Sequence, residues 1–459
     1  MDYRYTARIK VEATTPLFVG SGAASLITDS LVMKDHNDLP MIPGTSLTGV
    51  LRHSLEDFSK ENYNWNDIFG YQGKDNDGLG SRLIISSAYL VLNDGKIAEG
   101  LNTEISPEIL SKFQKLPTRQ HVRITHKGVA ADKVLFDNEV VYAGAQFIFE
   151  IELKGTKTDE DSWKQIIKEI KSPSFRIGQG TRDGYGNLKV IGVYEKTFNL
   201  VNENDFEAYL SFNPSLNSIE IKETEEKTDS NITDYTLELT PDDFFIFSEG
   251  FGDSEVDNKP TEEEIIVYNN GKIDFENRTL IPASSIKGAI AHRTAFHYNK
   301  FNKFYADTIN ENLKNYVEEN NQAVKTLFGE KAQVVNGNLL GERGIVILDD
   351  LYYDDIDNSK IFNHVAIDRF TGGSIDGALF SEKVSYKRDK KIVLEINLAK
   401  EIEDDTILLA FEETLKDICR GLLPLGGMTT KGFGMFTGKL LKKGETEPLF
   451  NYYNQKVEV

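Results

Sequence analysis

Two glycine clusters, at residues 177–190 and 425–438, have the composition of a turn that holds a phosphate. Glycine adopts positive φ and lets a ligand approach the backbone closely, and successive exposed N–H groups form a concave anion site. The same spacing also suits two tight turns that close a hairpin, and spacing alone favours that plainer interpretation. The glycines are Gly178, Gly180, Gly184 and Gly186 in the first cluster, and Gly426, Gly427, Gly432 and Gly434 in the second.

Two Ile-Pro segments, IPGTSLTGVLRH at 42–53 and IPASSIKGAIAHR at 281–293, place hydroxyl side chains where a helix is expected to begin. A helix N-terminus exposes N–H groups that attract phosphate, and basic side chains nearby would add positive charge. An ordinary N-terminal cap explains the Ser and Thr residues equally well. The residues of these two candidate anion sites are Thr45, Ser46 and Arg52, and Ser284, Ser285, Lys287 and Arg293.

Candidates for acid–base chemistry are harder to single out from the residues alone. Asp29 precedes the first Ile-Pro segment, but it is one of 73 acidic residues, and by itself it reads as a surface-loop acid. His36 and His53 have no second catalytic group paired with them in the sequence, so we expect surface or structural roles. No Walker loop, zinc-ligand spacing or Ser–His–Asp arrangement is convincing.

An internal repeat positions these segments. The two Ile-Pro segments are 239 positions apart (282 minus 43), and the two glycine clusters are 248 apart (425 minus 177). Three further blocks recur in the same order between them. The blocks are Ile68-Phe69-Gly70 with Leu327-Phe328-Gly329, RLIISSAY at 82–89 with GIVILDDLYY at 344–353, and HVRITHKGVAADKVLFDNEVV at 121–141 with HVAIDRFTGGSIDGALFSEKV at 364–384.

Each copy is predicted to be an α+β domain. In the first copy, alternating apolar residues predict strands at 5–13, 83–86, 147–153 and 188–193, and helical patterns follow Pro43 and cover 159–171. With a long excursion at 101–141, the order is the βαββαβ plan of a ferredoxin-like (RRM-like) domain. The predicted boundaries are a first domain at 1–200, an acidic linker at 201–232, a second domain at 233–440 and a tail at 441–459.

Composition limits the possible partners. The net charge of −21 argues, taken alone, against nucleic acid, because phosphate contacts need Lys and Arg. Many of the acidic residues lie in runs such as 262–264, which usually mark solvated loops. A local basic groove is therefore compatible with the negative net charge. No apolar run approaches the ~18 residues of a membrane helix, and the N-terminus lacks a signal-peptide pattern. The single cysteine, Cys419, is predicted to be buried. We expect a cytoplasmic protein without a membrane partner.

Four features together carry a family resemblance: the loop Phe18-Val19-Gly20-Ser21-Gly22, the segment IPGTSLTGVLR, the segment VLFDNEVVYAG and the late Gly-Tyr-Gly turn. As a set they resemble the RAMP-type backbone subunit of type III CRISPR effector complexes, which serve antiviral defence. The resemblance covers 1–195 and 233–440, so two copies are fused, as in type III-D-like tandem subunits. It implies two ferredoxin-like RAMP domains, each with an inserted thumb-like hairpin and a late glycine-rich loop.

The resemblance implies RNA contact by both helix starts, both late glycine loops and both excursion segments, whose thumbs would wedge between guide–target base pairs. In the family a basic residue precedes the Gly-aromatic-Gly turn; Lys431 does so here, whereas Asp183 holds that place in the first copy and Arg182 would compensate. The implied RNA-binding residues are Gly20, Ser21, Thr45, Ser46, Arg52, Arg119, His121, Arg123, Arg182, Gly184, Gly186, Ser284, Ser285, Lys287, Arg293, His364, Arg369, Lys431, Gly432 and Gly434.

The resemblance also assigns a catalytic residue. The family's target-cleaving aspartate lies in an Asp-Ser-x-Val setting, which Asp29-Ser30-Leu31-Val32 reproduces, and its carboxylate would bind Mg²⁺ or another divalent cation. In the second copy, counting back from Pro282 puts the position that corresponds to Asp29 near Glu264, where the sequence has no Asp-Ser pair. In the second copy Glu264 would replace the catalytic aspartate, or Asp253 or Asp257 would reach the same site. Otherwise the second copy would bind RNA without cutting it.

The implied function is a guide-RNA-binding backbone subunit that cleaves paired target RNA at fixed positions, as a metal-dependent endoribonuclease within a type III effector complex. Its partners would be guide RNA, target RNA and other subunits of that complex, and guide pairing would supply sequence specificity. The alternatives are a non-catalytic RNA-binding subunit, an endoribonuclease that processes guide precursors, and a protein-interaction scaffold.

Overall fold

The protein is described by a computed structural model. The described residues are 1–25, 28–58, 63–73, 77–101, 105–125, 127–221, 234–309, 312–335, 338–353, 359–386 and 391–449. Most of the acid-rich part of the predicted linker, 222–233, and the end of the predicted tail, 450–459, therefore lie outside the described residues, as does His126 of the first excursion.

The first half of the chain forms an antiparallel sheet with helices against it. Its elements are β1 (Tyr3–Ala13), α1 (Gly44–Phe58), α2 (Trp65–Phe69), β2 (Tyr71–Gln72), β3 (Gly78–Leu79), β4 (Leu83–Ile85), β5 (Tyr89–Leu90), α3 (Pro107–Gln114), β6 (Thr118–Ile124), β7 (Ala130–Glu139), β8 (Gln146–Gly155), α4 (Glu160–Ile170), β9 (Leu188–Asn199) and α5 (Glu203–Leu210).

The strand order in this sheet is β4-β8-β1-β9, with β5 also pairing with β8. β1 lies between β8 and β9. Its apolar residues alternate, so that Tyr5, Ala7 and Ile9 face the helices and are buried. α4 presents Trp163 and Ile166 to the same core, as its spacing predicts. The element order therefore follows the predicted one, and the domain is α+β.

The second half repeats this plan. Its elements are β10 (Tyr235–Pro241), β11 (Glu262–Asn269), β12 (Lys272–Ile281), α6 (Ala283–Phe301), α7 (Gln322–Phe328), β13 (Gly329–Val335), β14 (Asn338–Arg343), β15 (Val346–Leu348), β16 (Leu351–Tyr353), β17 (Ser359–Ile367), β18 (Ser374–Ser385), β19 (Ile392–Leu398), α8 (Asp405–Cys419), β20 (Phe436–Lys442) and β21 (Glu445–Thr446). The sheet order is β15-β19-β10-β20-β21.

The two halves match in backbone detail as well as in order. The amide of Gly186 donates to the carbonyl of Pro16 at 2.9 Å, and the amide of Gly434 donates to the carbonyl of Phe244 at 2.8 Å. Each sheet has its own apolar core, and the first core also takes in Ile266 of β11 from the second half. Cys419 is buried in the second core, as predicted.

The first sheet is covered on both faces. Residues 211–221 fold back over the face opposite the helices, where the guanidinium of Arg8 donates to the Asn213 carbonyl at 2.5 Å and the Ser215 carbonyl at 2.9 Å. Arg8 is only 1% exposed and pairs with Glu150 at 2.7 Å. This part of the predicted linker is therefore packed structure and not a free connection.

Two long hairpins arise from the excursion segments. β6 and β7 pair as one hairpin, and β17 and β18 pair as the other, with Val122 opposite Leu135 and Val365 opposite Leu379. A third hairpin, β11–β12, belongs to the second half only, since a short turn at residues 35–39 stands in its place in the first half.

A buried ion cluster joins the halves. The guanidinium of Arg119, at the base of the β6–β7 hairpin, contacts the Asp350 carboxylate at 2.5 Å and the Glu263 carboxylate through two nitrogens. Burial lowers a guanidinium pKa, but Asp350 and Glu263 outweigh it and raise the pKa of Arg119 well above its usual value. Burial also raises the pKa of Asp350 to about 6, against the opposing effect of Arg119.

Further contacts surround this cluster. Arg176 pairs with Asp349 through two nitrogens, and the side-chain amide of Asn187 donates to the same carboxylate at 2.9 Å. Lys287 pairs with Asp183 at 2.8 Å. Because these charges are paired across the contact and several are buried, they fix the orientation of one repeat on the other.

Replacing Arg119 with Ala should lower the free energy of unfolding by about 3–5 kcal/mol, because Asp350 and Glu263 would stay buried without their counter-charge. Arg123→Ala is the matched control. Arg123 lies on the same hairpin and also pairs across the contact, with Glu319, but its side chain is 46% exposed. Its removal should cost about 0–1 kcal/mol. Equal losses in urea denaturation of the two variants would contradict the buried role of Arg119.

Candidate functional site

Asp29 lies beside the end of β7. Its amide donates to Oδ1 of Asp137 at 2.8 Å, and the Asp137 amide donates back to Oδ2 of Asp29 at 3.1 Å. Ser30 forms a parallel bridge with Asn138 next to this pair. The Asp29 side chain is exposed, so two neighbouring carboxylates are held at the base of the first hairpin, close to solvent.

Asp257 occupies the corresponding place in the second repeat. The Ser381 amide and hydroxyl donate to Oδ2 of Asp257 at 2.8 and 2.9 Å, and the Asp257 amide donates to the Ser381 hydroxyl at 3.1 Å. Asn258 forms a parallel bridge with Glu382, as Ser30 does with Asn138. The bonds from Ser381 lower the pKa of Asp257, which keeps this carboxylate ionised.

Glu264 is not the counterpart of Asp29. It lies on β11 opposite Asn277, and its carboxylate contacts Nζ of Lys112 in the first repeat at 2.5 Å. Asp29 and Asp257 are 228 positions apart (257 minus 29), whereas Pro43 and Pro282 are 239 apart. The β11–β12 hairpin accounts for the difference of 11 (239 minus 228), which is why counting back from Pro282 reached the wrong register.

The carboxylates fit a cation that RNA would help to hold. Among the residues that the structure describes, no group of three or more His, Cys, Asp or Glu side chains could hold a metal ion alone. Mg²⁺ commonly binds one or two carboxylates together with water and substrate phosphates, and Asp29 with Asp137 offers that donor set. In the second repeat a hydroxyl, Ser381, stands beside a single carboxylate.

The two late glycine loops differ in accessibility. A Cβ on Gly184 would lie 2.8 Å from the Ala283 Cβ and 2.4 Å from the Asp350 carboxylate, so the first loop is packed against the second repeat. A Cβ on Gly432 would meet nothing within 4 Å, and Lys431 beside it is exposed. Only the second loop keeps the open backbone that an anion site requires. Gly186 and Gly434 instead sit close to their own loops' carbonyls.

Three arginines of the first repeat that were expected to contact RNA are engaged in the contact between repeats. Arg119 is 6% exposed in its ion cluster. Arg123 pairs with Glu318 and Glu319, and Nε of Arg182 donates to the Gly344 carbonyl at 2.7 Å. Burial, with neighbouring arginines, lowers the pKa of Arg182 to about 9. All three side chains therefore take part in the contact between the repeats.

His121 is packed within the first repeat. Its Nε2 lies 2.8 Å from the Tyr185 hydroxyl, and its ring stacks on Phe136 at 4.9 Å. Burial and the Arg119 charge lower its pKa. In the second repeat His364 instead contacts the fully buried Glu382 at 2.6 Å. Both histidines thus hold the hairpin bases.

The helix starts are unequal anion sites. The Gly44 amide donates to the Ser87 hydroxyl at 3.3 Å, and Thr45 remains exposed with Ser46 next to it. At the second start the Ala283 amide donates to the Asp350 carboxylate at 2.8 Å, so a buried acid already occupies the place where Ser284 and Ser285 were expected to receive phosphate.

The basic side chains near the helix starts and the first glycine-bearing loop are also engaged. Arg52 pairs with Glu56, Lys287 with Asp183 and Arg293 with Asp417. In the early loop, Gly20 forms a bridge with Val32, and the amide of Ser21 donates to the Leu31 carbonyl at 2.9 Å. Arg52 and the early loop make contacts that are local in the sequence, whereas Lys287 and Arg293 pair with acids more than 100 residues away.

Apolar side chains project from both hairpins. At the tip of the second hairpin Phe370 is 97% exposed, next to exposed Arg369. Other exposed apolar residues are Val122, Ile124, Val129, Phe136, Ile361, Val365, Ile367, Ile375 and Leu379. Sequence reasoning missed Asp137, Ser381 and Phe370, although aligning the Leu-Phe pairs of the two excursions places Asp137 opposite Ser381.

The family model of the RAMP superfamily matches residues 10–189 and 262–437, which is one match in each repeat. No curated protein matches the chain. In the part of the chain that the structure describes, no helix is both long and apolar enough to cross a membrane.

The glycine loop of the second repeat gives a backbone prediction. Gly432 and Gly434 both have positive φ, +89° and +77°, but a Cβ on Gly434 would lie 2.1 Å from the Leu425 carbonyl oxygen. Gly432→Ala should therefore cost about 1–2 kcal/mol of stability from its left-handed backbone alone, and Gly434→Ala should cost more. Thermal unfolding measures both. A larger loss for Gly432→Ala would contradict the open loop described here.

Proposed function

Because this chain belongs to the RAMP superfamily, we propose that it is the guide-RNA-binding backbone subunit of a type III CRISPR ribonucleoprotein and cleaves paired target RNA. The family match supports a CRISPR-associated RAMP subunit. The sheet orders, with the first strand between the third and fourth core strands in each repeat, support a ferredoxin-like plan. In this proposal the β6–β7 and β17–β18 hairpins are the thumbs.

The recurrence of one carboxylate at both hairpin bases carries the proposal for cleavage. Asp29 and Asp257 are held in the same way, each by backbone bonds to the returning strand of its hairpin. Neither is needed for the core, and Asp29 is exposed. With one such carboxylate in each repeat, the chain would make two cuts whose separation is set by the spacing of the repeats.

The residues around each carboxylate suggest different metal affinities. Asp29 and Asp137 would hold Mg²⁺ together with RNA phosphates, and the cation would stabilise the charge that develops on the scissile phosphate. Asp257 would do so with the Ser381 hydroxyl as its neighbour. The carboxylate itself would orient the attacking 2′-hydroxyl and take part in proton transfer.

The hairpins suit the displacement of a base at each site. Exposed apolar side chains such as Phe370 and Ile367 offer surfaces on which a base can stack or be pushed aside. The open glycine loop at Gly432, with Lys431 beside it, offers backbone N–H groups and a cation for the guide's phosphates. The net charge of −21 requires such local sites, because the molecule as a whole repels RNA.

In the assembled complex with guide and target, Asp29→Ala should slow one cut and Asp257→Ala the other, each by roughly 10²–10⁴-fold. The double variant should bind target without cutting it. Glu264→Ala is the matched control and should leave both cuts. Product lengths on a labelled target measure all four variants, and chelation of Mg²⁺ should have the effect of the double variant.

The other functions would give different products. If both cuts persist in the double variant, the assignment of the carboxylates fails. If the assembled complex with the unchanged chain holds paired target RNA without cutting it, the chain is a non-catalytic subunit. If the isolated chain cuts precursor RNA without target or metal, it is a guide-processing endoribonuclease. If no RNA copurifies, as a low 260/280 absorbance ratio would show, the chain is a protein scaffold.

RNA affinity should depend on the open loop and not on the arginines of the repeat contact. Lys431→Ala should weaken binding of single-stranded RNA and reduce the slope of log K against log salt by about 0.7, the value for one phosphate contact on a single strand. Arg123→Ala should leave the slope unchanged. Binding titrations at several salt concentrations measure this, and a reversed pattern would contradict the assignment of these two residues.

A further inference from the structure

Two arginines from different repeats, Arg182 and Arg343, lie close together in the contact between the repeats. Nε of Arg182, in the late glycine loop of the first repeat, donates to the Gly344 carbonyl of the second repeat at 2.7 Å. In return the guanidinium of Arg343, at the end of β14, donates to the Thr181 hydroxyl of the first repeat. Each arginine of this pair therefore reaches the residue beside the other one, and two like charges meet across the contact.

No carboxylate accepts a hydrogen bond from Arg182 among the residues that the structure describes. Its guanidinium donates to one neutral carbonyl, and its buried Nη1 has no acceptor. Burial, with the charges of Arg343 and Arg176, lowers the pKa of Arg182 to about 9. The protein therefore holds this cation in surroundings that disfavour its charge, and supplies no counter-charge of its own.

The acids beside Arg182 are committed to other cations. Asp183, the next residue in the loop, pairs with Lys287 at 2.8 Å. Asp349, in the facing turn of the second repeat, pairs with Arg176 through two nitrogens. Because each of these carboxylates already balances a neighbouring cation, neither is left to balance Arg182.

The β13–β14 hairpin that carries Arg343 does not supply the missing charge either. Glu330 pairs with Lys325 at 2.7 Å, and residues 331–340 include no Asp or Glu. Glu342 precedes Arg343 on β14, and successive side chains of a strand point to opposite faces. The side of the hairpin that meets Arg182 is therefore positive.

The arginine pair belongs to this contact and not to each repeat. The glycine clusters are 248 positions apart, so the counterpart of Arg182 in the second cluster is Thr430 (182 plus 248). A role that both repeats share, such as holding guide RNA, therefore does not explain the pair. Its place between the repeats points to a ligand that acts on the contact itself.

An oxyanion can reach the pair from solvent, since Arg343 is exposed and Arg182 is half-buried. A guanidinium presents parallel N–H donors that match two oxygens of a phosphate or sulfate ion. One such ion between the two side chains would balance charge from both repeats at once. It would replace repulsion across the contact with a bridge.

We propose that Arg182 and Arg343 together bind a free oxyanion of the phosphate class, which strengthens the contact between the repeats. An RNA phosphate has the same chemistry, so the experiments separate the two sources. The proposal does not rest on the function proposed above, because every group that holds the ion belongs to this chain.

Thermal unfolding of the full chain, freed of RNA by nuclease, tests the site. Inorganic phosphate should raise the melting temperature in a saturable way, because a ligand that binds only the folded state stabilises it. Chloride at equal ionic strength should not. Arg343→Gln and Arg182→Gln should each remove the saturable shift. Arg52→Gln is the matched control and should keep it, since Arg52 already has its own acid, Glu56.

Titration calorimetry measures the same site directly. The unchanged chain should bind one phosphate ion, and Arg343→Gln should weaken that binding by about tenfold or more, because it removes a charge-assisted hydrogen bond. Arg343 is exposed, so its variant decides the test if Arg182→Gln melts early. The proposal is wrong if phosphate and chloride act alike on the unchanged chain, or if both variants keep the affinity of the unchanged chain.

A second titration identifies the source of the phosphate. Phosphate is titrated into the chain with single-stranded RNA already bound. An unchanged affinity supports a free anion, whereas loss of phosphate binding would assign the arginine pair to RNA and overturn the proposal. Neither titration requires guide, target or cleavage, so a chain that fails to cut RNA can still bind the ion, and the two failures are distinguishable.

Discussion

The buried guanidinium of Arg119 is the interaction on which the arrangement of this chain depends. It stands at the base of the first hairpin and is paired with Asp350 and Glu263 of the second repeat. A charge buried this deeply must keep its partners, because losing one leaves an uncompensated ion. The position of the first hairpin relative to the second repeat is fixed as a result, and with it the relation between Asp29 and Asp257.

The same contact engages most of the arginines near the first hairpin and the first glycine loop. Arg119, Arg123, Arg176 and Arg182 all contact the second repeat, and Arg8 holds residues 211–221 against the first sheet. The basic residues that look suited to RNA in the sequence are thus largely structural. Among the described residues that the family resemblance assigns to RNA, those that stay exposed include Thr45, Arg369, Lys431 and Gly432.

The duplication is symmetric in its backbone and asymmetric in its surfaces. The same bonds hold both carboxylates, but Asp137 accompanies the first and Ser381 the second. The same loop is covered in the first repeat and open in the second, because only the first has a neighbour within the chain. Fusing two copies therefore gives each a different environment without changing its fold.

The sequence by itself determined the repeat, the α+β class of each copy, the strand and helix order and the buried cysteine, since these follow from local periodicity and from recurring blocks. The resemblance of Asp29-Ser30-Leu31-Val32 to the family's motif singled out Asp29. Only the tertiary structure decided which acid matches Asp29, because the β11–β12 hairpin shifts the register and strand pairing to β18 selects Asp257. It also decided which cations are free, because pairing between Arg119 and Asp350, 231 residues apart, leaves no local pattern in the sequence.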